Sequence, residues 1–367
     1  PYEEGAGRAV RRRRAPPRLA LVSRLRAALL RDRAPQICPL SPAYDSFRPV
    51  LAAPSGPRGR AQETTMKSRT DQTEIVVGLD IGTTKVLAVV GEVDSDGITI
   101  LPHEFEYYKV VGGMAQFVAW VRLPQLPEKG KTIYVYYGNS LVGSQQDNDL
   151  AWQDYAAVYH LHSNFNDSTR NGHNGSILTP SGPPPVPGPA VIGNGHDFEG
   201  GSVAEIADSP DFNCVTKDCT ISVWLSSTGS SSHAVDHYLS SGTTTGWYIG
   251  TTNTSATFIY GGLASVQMAG PMSAGQWHHV AVVKASGIAS IYIDGVERDS
   301  ISNLGFIVEA QAPLYIGSGS TISNFYTGSI DEVRIAPTTR SVSWLRAEID
   351  NALKPNEFVS IGSPESF

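Results

Sequence analysis

The chain has 367 residues, of which 41% are hydrophobic and 17% charged, so it is long enough to bury a sizeable core. No run of 18 apolar residues occurs, which argues against a membrane-spanning helix. The formal net charge is −7, but residues 1–65 carry 13 Arg against 5 acidic residues, whereas the remainder carries 15 basic and 30 acidic residues. The acidic main body argues against nucleic acid as a partner. With 36 Gly and 24 Pro, the composition favours short strands joined by polar loops.

Residues 1–65 are rich in Arg, Pro and Ala, and we predict that they form a disordered basic tail. The segment cannot bury enough apolar surface to offset the entropy lost on ordering. Its best apolar run, residues 19–30, contains Arg24 and Arg26, which a secretory signal peptide does not tolerate. A basic targeting arm or phosphate-binding tail is the functional alternative. Patterned sequence begins directly after Met66, which we take as the natural start.

The stretch "EIVVGLDIGTTKVLAVVGEV" (residues 74–93) places a polar loop between two apolar runs. Residues 66–93 resemble the amino terminus of FtsA, an actin-like cell-division ATPase, whose loop amides face nucleotide phosphates. The resemblance implies a phosphate loop made of Asp80, Gly82, Thr83, Thr84 and Lys85. A second phosphate loop and an adenosine-binding glycine pair are missing after residue 100. We therefore interpret residues 66–100 as a fragment with a vestigial loop, and we expect no nucleotide cofactor.

Residues 101–154 contain "FVAWVRLP" and "TIYVYYG", aromatic and β-branched runs with the two-residue alternation of strands. The spacing of Trp120, Pro124 and the run from Thr132 to Asn139 resembles a small β module of unassigned function. That module stands before LamG-like domains in bacterial and archaeal surface proteins. The resemblance predicts a small β module at 101–154.

Strand-like runs of 6 to 11 residues, separated by Gly, Ser, Asn and Pro clusters, recur from Tyr155 onward. Within them, Asp294-Gly295 is the dipeptide that a type I′ hairpin turn prefers, because both central residues need a positive φ. Many strands at this spacing, with almost no helix, predict a sandwich or jelly roll.

Several motifs, in one order, resemble the LamG-like, concanavalin A-like jelly roll: "YHLHSNFNDSTRNGHNGS", "HDFEGG", "GQWHHVAVV", "IYIDGV" and "GSIDEVRIA". We therefore predict an all-β, concanavalin A-like jelly-roll sandwich over residues 155–340. Residues 341–367 follow it. There, Val342, Leu345, Ile349 and Leu353 fit one face of a short helix, and "EFVSIGS" fits an edge strand.

The same resemblance implies a Ca²⁺ ion at the rim of the sandwich. Hard oxygen ligands on an irregular loop suit calcium, and the candidate ligands are Asp167, Asn171, Asn174 and Asp331. The alternative is structural, because Asp and Asn also cap turns by bonding to their own backbone.

Two further pairs, one of histidines and one of cysteines, are candidates for a metal site or a disulfide. His160 and His162 share one face of a strand, but no third metal ligand is evident nearby in the sequence. Cys214 and Cys219 allow either a turn-closing disulfide or two free thiols.

The paired carboxylates of concanavalin A-like glucanases, at Glu-x-Asp-x-x-Glu spacing, are absent, as are Gly-x-Ser-x-Gly and His-Glu-x-x-His. We therefore predict that the chain is not an enzyme. Trp247, Tyr248, Tyr260 and Tyr326 are candidates for stacking on sugar rings, although most of them are expected in the core.

The predicted function is a binding or adhesion module of a secreted or cell-surface protein, with a glycan or cell-surface ligand as partner and Ca²⁺ as a candidate structural ion. The alternatives are a fragment of an actin-like ATPase, and an accessory domain of a larger enzyme or transporter.

Overall fold

A computed structural model describes residues 97–111, 114–123, 131–137, 143–229, 232–239, 245–261, 266–302, 309–320 and 322–355, and the strands at 20–27, 51–52, 74–79, 89–94, 359–361 and 365–366. The strands that precede the sandwich are β1 (Ala20–Ala27), β2 (Leu51–Ala52), β3 (Glu74–Leu79), β4 (Val89–Asp94), β5 (Gly97–Ile100), β6 (His103–Val111), β7 (Met114–Val121) and β8 (Lys131–Tyr137). A short helix, α1 (Asn148–Ala151), follows them.

The strands of the sandwich are β9 (Ala157–Tyr159), β10 (Gly175–Leu178), β11 (Val186–Pro189), β12 (Asn194–Glu199), β13 (Val203–Ile206), β14 (Cys219–Ser227), β15 (Ser232–Leu239), β16 (Thr245–Thr251), β17 (Ser255–Tyr260), β18 (Val266–Pro271), β19 (His278–Ala285), β20 (Ile288–Ile293), β21 (Val296–Ile301), β22 (Leu314–Ile316) and β23 (Thr327–Ala336). A 3₁₀ turn at Pro210–Phe212 lies among them. After them come α2 (Val342–Leu353), β24 (Val359–Ile361) and β25 (Glu365–Ser366).

Two antiparallel sheets face each other and form the sandwich. The seven-stranded sheet has the order β10-β13-β22-β15-β16-β17-β18, and the eight-stranded sheet has the order β11-β12-β23-β14-β19-β20-β21, with β9 also paired to β23. Alternate residues of both sheets fill the space between them, for example Ile221 and Val282 from one sheet and Ile249 and Phe258 from the other. The predicted all-β sandwich is confirmed.

The turn between β20 and β21 has the conformation that the sequence predicts. Asp294 has a φ of 53° and Gly295 a φ of 70°, the left-handed values of a type I′ turn. The predicted helix is also present as α2, which buries Leu345, Ile349 and Ala352. Ser341 begins this helix by accepting a hydrogen bond from the Trp344 amide.

Two elements cover the outer face of the eight-stranded sheet. Helix α2 packs Leu345 on Ala281 and Tyr292 of that sheet. The β6–β7 hairpin packs Val118 and Trp120 into a second apolar cluster that includes Ile192, Trp224 and Ile349. The small module is therefore docked on the sandwich by apolar burial.

Strand β23 contains a bulge beneath this hairpin. Trp224 of β14 lies opposite Asp331, and Ser222 lies opposite Arg334, so two residues of β23 share the single remaining position on β14. Glu332 occupies the bulge with a φ of 52°. Ile330, Val333 and Ile335 belong to the sandwich core. The bulge turns the charged side chains of Asp331, Glu332 and Arg334 toward the hairpin.

Within residues 1–65 the structure describes two strands: β1, which pairs with β8 and β24, and β2, which pairs with β7. The disordered tail stays a prediction. The rest of this segment lies outside the described residues. Strand β24, the predicted edge strand, pairs with β1. No helix in the described part of the chain is long and apolar enough to cross a membrane.

Candidate functional site

Asp167 organises the rim loop that the sequence singles out. Its Oδ1 accepts hydrogen bonds from the amides of Val158 (3.0 Å) and Thr169 (2.9 Å). Its Oδ2 accepts from Thr169 Oγ1 (2.8 Å) and from the His173 amide (3.0 Å). Both carboxylate oxygens thus hold the loop against β9. This is the turn-capping role that we gave as the alternative to calcium binding.

The two asparagines of the calcium prediction lie in the same loop. Asn174 Oδ1 accepts from the Asp167 amide (2.9 Å), and Asn171 Nδ2 donates to the Ala156 carbonyl (2.8 Å). The structure therefore brings three of the four predicted ligands into one hydrogen-bonded loop.

Asp331, the fourth predicted ligand, contacts a different part of the sandwich. It is fully buried, its Oδ2 accepts from the Ile192 amide (3.0 Å), and its Oδ1 has no hydrogen-bond partner. Burial, reinforced by the charge of Glu332, raises the pKa of Asp331 well above its ordinary value. Its hydrogen bond is to Ile192, which lies outside the rim loop. The calcium site stays a prediction.

The other predicted cofactor site cannot be placed. The residues of the FtsA-like phosphate loop, Asp80, Gly82, Thr83, Thr84 and Lys85, lie outside the described residues.

A row of polar and aromatic residues crosses the outer face of the seven-stranded sheet, with two buried members, Tyr315 and Asp236, and three partly exposed members, Glu205, Tyr248 and Ile259. Cross-strand pairing places Glu205 opposite Tyr315, Tyr315 opposite Asp236, Asp236 opposite Tyr248, and Tyr248 opposite Ile259. The neighbours of these residues along each strand, such as Ile206 and Ile249, point into the core. We call this set of five residues the tyrosine row.

The centre of the tyrosine row is a hydrogen-bonded polar network. Asp236 is fully buried, and its Oδ2 lies 2.6 Å from His233 Nδ1 while its Oδ1 accepts from the Tyr238 amide (3.0 Å). The Tyr248 ring stacks on His233 with centroids 3.9 Å apart and makes an edge contact with Tyr238 at 5.1 Å. Burial, the neighbouring Tyr238 and the Asp236 carboxylate raise the pKa of Tyr248 to about 12, so its hydroxyl stays protonated at neutral pH.

Of the four aromatic residues that the sequence offers for sugar stacking, only one lies on this face. Trp247, Tyr260 and Tyr326 are fully buried in the core, as expected for most of the set. Tyr248 is half-buried on the outer face. Tyr315 and His233, which complete the surroundings of Asp236, are residues that the sequence reasoning missed. The period-two alternation of "GWYIG" and "PLYIG" is the signal that assigns their tyrosines to a common face.

Cys214 and Cys219 are both buried and are free thiols. Of the two alternatives, a turn-closing disulfide or two free thiols, the structure therefore has the free thiols. Burial, together with the adjacent Cys219, raises the pKa of Cys214 well above its ordinary value, which disfavours a reactive thiolate. The two cysteines line a cleft of about 220 Å³ that also contacts Arg170, Asn171 and Lys217.

A cluster of buried charges joins the small module to the sandwich, and the sequence reasoning found only one of its members. His160 contacts Glu104 and Glu106 of β6 and Glu332 of the β23 bulge. His162, which the sequence paired with it, instead packs on the Tyr107 ring with centroids 4.9 Å apart. The signals for this cluster are the acidic residues two apart in "HEFEYY" and the adjacent acids in "IDEVR", which break the apolar pattern of buried strands.

Electrostatics within this cluster are strongly coupled. Burial, and then the charge of Glu332, raise the pKa of Glu106 to about 8. Burial alone would lower the pKa of His160, but the surrounding carboxylates, Glu332 foremost, raise it to about 10. Burial also opposes the charge on Glu332, yet His160 and Arg334 together lower its pKa. At neutral pH the cluster thus holds an imidazolium beside an ionised Glu332 and a protonated Glu106.

Comparison with known families agrees with this architecture. Residues 198–346 match the family model described as the concanavalin A-like lectin/glucanases superfamily. Residues 86–174 match a model described as a domain of unknown function, DUF2341. The chain therefore contains a concanavalin A-like domain preceded by a DUF2341 module. The resemblance of residues 66–93 to FtsA finds no support, and the DUF2341 match already begins at residue 86. No curated protein matches the chain.

Several solved structures are similar to this chain at low identity. The binding domain of botulinum neurotoxin DC, in complex with rat synaptotagmin II, is 13% identical with a TM-score of 0.44, over 56% of this chain and 53% of that one. Domain 4 of AbnA, a GH43 extracellular arabinanase from Geobacillus stearothermophilus, in complex with arabinotriose, is 21% identical with a TM-score of 0.43, over 53% of this chain and 98% of that one. Botulinum neurotoxin type C, whose cell entry depends on two ganglioside molecules, is 13% identical with a TM-score of 0.43, over 55% and 52%. The chain thus spans about half the length of these neurotoxin chains.

Proposed function

We propose that the chain is a non-catalytic glycan-binding module of a secreted or cell-surface protein, and that its ligand binds on the tyrosine row. The family match over residues 198–346 supports a lectin-like role, since that superfamily includes lectins. The absence of a Glu-x-Asp-x-x-Glu carboxylate set in the sequence supports binding without hydrolysis.

The observation that carries the proposal is the chemistry of one sheet face. The outer face of the eight-stranded sheet is covered by α2 and the β6–β7 hairpin, whereas the tyrosine row lies on the other sheet. Tyr248 and Tyr238 are half-buried there, each presenting an apolar ring with a polar hydroxyl. Glu205, at the end of the row, adds a carboxylate that can accept hydrogen bonds from sugar hydroxyls. The His233 stack and the buried Asp236 hold Tyr248 in place before a ligand arrives.

The test is a glycan array probed with the labelled full chain, first with Ca²⁺ and then with EDTA. We expect binding to one class of glycans, and Tyr248→Ala should weaken that binding about tenfold or more because a central aromatic contact is lost. Trp344→Ala is the matched control, since Trp344 is an exposed aromatic residue on α2, outside the tyrosine row. Loss of binding in EDTA that is restored by Ca²⁺ and not by Zn²⁺ would support a calcium ion at the rim loop. An array without signal, or equal affinities for wild type and Tyr248→Ala, would refute the proposal.

A further inference from the structure

Three side chains from three segments converge between the small module and the sandwich. His160 follows β9, Glu332 occupies the β23 bulge, and Glu106 belongs to β6 of the module. His160 Nδ1 lies 2.7 Å from Glu332 Oε1 and 3.5 Å from Glu106 Oε2. One donor atom from each residue lies within 4.8 Å of the other two. An imidazole nitrogen and two carboxylate oxygens at this spacing form a donor set suited to a divalent transition-metal ion.

Unpartnered oxygens form a second and independent observation. The Glu106 side chain is only 1% exposed, yet its Oε1 has no hydrogen-bond partner. The adjacent Asp331, fully buried, has an unpartnered Oδ1 as well. Buried carboxylate oxygens without partners are costly, because they lose their hydration and receive nothing in return. A bound cation at Glu106 removes that cost.

The groups around these three side chains are arranged as an outer shell of a metal site would be. His160 Nε2 lies 3.3 Å from Glu104 Oε2, which fixes the orientation of the ring and leaves Nδ1 directed at the two carboxylates. Glu104 itself accepts from Asn148 Nδ2 (2.9 Å), Ser168 Oγ (2.8 Å) and Trp152 Nε1.

The two ligating carboxylates are also oriented by donors. Trp120 Nε1 donates to Glu106 Oε2 (2.7 Å). Arg334 Nε donates to Glu332 Oε2 (3.0 Å), so the other oxygen, Oε1, is the one that contacts His160 Nδ1 (2.7 Å). Each of the three side chains is thus oriented by a partner outside the set, and a bound ion would replace the hydrogen bond between His160 Nδ1 and Glu332 Oε1.

We propose that His160 Nδ1, Glu106 and Glu332 bind a divalent transition-metal ion of the Zn²⁺ class, which displaces the protons of His160 and Glu106, and that this ion fastens the DUF2341 module to the concanavalin A-like domain. Calcium fits this set less well, because it takes six to eight oxygen ligands at longer distances. The site is buried, so its role is structural. Its ligands come from both the module and the sandwich, and metal binding is therefore coupled to their docking. The proposal does not depend on the glycan-binding function.

The experiment uses the full chain, stripped with a chelator and titrated with ZnCl₂ by calorimetry, with MgCl₂ and CaCl₂ run in parallel. We expect one Zn²⁺ per chain and a rise in Tm that grows with Zn²⁺ concentration, because an ion that binds only the folded state stabilises it. Mg²⁺ and Ca²⁺ should produce neither. Replacement of Zn²⁺ by Co²⁺ should give d–d absorption bands of a nitrogen- and oxygen-ligated ion in the unmodified chain, a readout that needs no variant.

Two variants locate the ion. Glu104→Gln, which keeps all three proposed ligands but changes the group that orients His160, should weaken Zn²⁺ binding about 10- to 100-fold. Glu332→Gln, which removes a ligand, should weaken it at least as much. Glu199→Gln is the matched control, because Glu199 is an exposed glutamate of β12. Near-ultraviolet circular dichroism checks that each variant is folded.

The proposal is overturned if the unmodified chain binds no Zn²⁺ at one per chain, or if Co²⁺ shows only the spectrum of the hexa-aquo ion. It is equally overturned if the folded Glu104→Gln and Glu332→Gln variants bind Zn²⁺ as tightly as Glu199→Gln. In either case, the cluster is a proton-sharing ion-pair network and not a metal site.

Discussion

Buried histidines show how differently one residue type behaves when its surroundings change. His160 is encircled by carboxylates, which raise its pKa to about 10 and keep it charged. His279, equally buried, packs against the Trp224 ring at 5.1 Å, and its Nδ1 has no partner. Burial lowers the pKa of His279, so this imidazole stays neutral in the folded protein. A buried histidine is thus charged or neutral depending on which side chains the fold places beside it.

At this scale we predict a pH dependence for His279→Phe. Because the pKa of His279 is lowered on folding, the unfolded chain takes up a proton below about 6.5 that the folded chain resists. The stability contributed by the neutral imidazole is therefore complete above that pH and is lost as the pH falls. Phenylalanine keeps the aromatic packing and cannot titrate. Urea unfolding between pH 7 and pH 5 should show wild type losing more stability than the variant.

The control for this prediction is Val296→Ala, a change at an exposed position of β21. Its difference from wild type should be independent of pH. A constant difference between wild type and His279→Phe over the same range would contradict the prediction.

Burial of one apolar face determines how a single element, such as helix α2, packs on the sheet. Helix α2 follows its predicted periodicity, and its Leu345 is fully buried against Ala281, Val283 and Tyr292. Leu353, the last residue of the same helix and of the same apolar stripe, is 38% exposed. The stripe therefore predicts the orientation of the helix, but contact with the sheet ends before its last turn.

We predict that Leu345→Ala lowers the free energy of unfolding by about 2–5 kcal/mol, since it leaves a cavity between α2 and the sheet. Leu353→Ala, the same substitution on the same helix, should change it by about 0.5 kcal/mol or less. Chemical denaturation of both variants beside wild type measures the two values. Equal effects would mean that α2 does not derive its stability from this contact.

At the scale of the whole molecule, the module and the sandwich are linked by a mixed polar and apolar interface. Trp120 of the β6–β7 hairpin is its centre. The indole donates to Glu106, stacks on His160 with centroids 5.6 Å apart, and lies 4.3 Å below the Arg334 guanidinium. Glu104 of the module also accepts a hydrogen bond from Ser168 Oγ of the sandwich. These contacts should make the two parts unfold together.

We predict that wild type shows a single calorimetric transition and that Trp120→Ala separates it into two, with the module melting at the lower temperature. The substitution removes a large aromatic contact, worth about 3–5 kcal/mol, between the hairpin and the sandwich. Trp344→Ala, at an exposed position of α2, should leave one transition. One unchanged transition in Trp120→Ala would show that other contacts suffice to couple the two parts.

Much of the fold was predictable because it rests on local pattern. The alternation of residues 219–227 and 278–285 assigns them to strands, Asp294-Gly295 specifies its own turn, and the spacing of Leu345 and Ile349 specifies a helix. Strand β1 was not predictable, because its pairing with β8 joins residues more than a hundred positions apart.

The candidate sites also divide into residues that the sequence predicted and residues that only the tertiary structure brought together. The sequence by itself determined the fold class, an all-β sandwich, because strand periodicity is a property of short segments. It also named Tyr248, but it could not separate that residue from Trp247, since neighbours on a strand differ only in which face the sheet buries. Only the tertiary structure decided that Glu106, His160 and Glu332 meet. Their convergence depends on a bulge in β23 and on the docking of a hairpin more than 50 residues away, and neither is encoded in the spacing of the residues themselves.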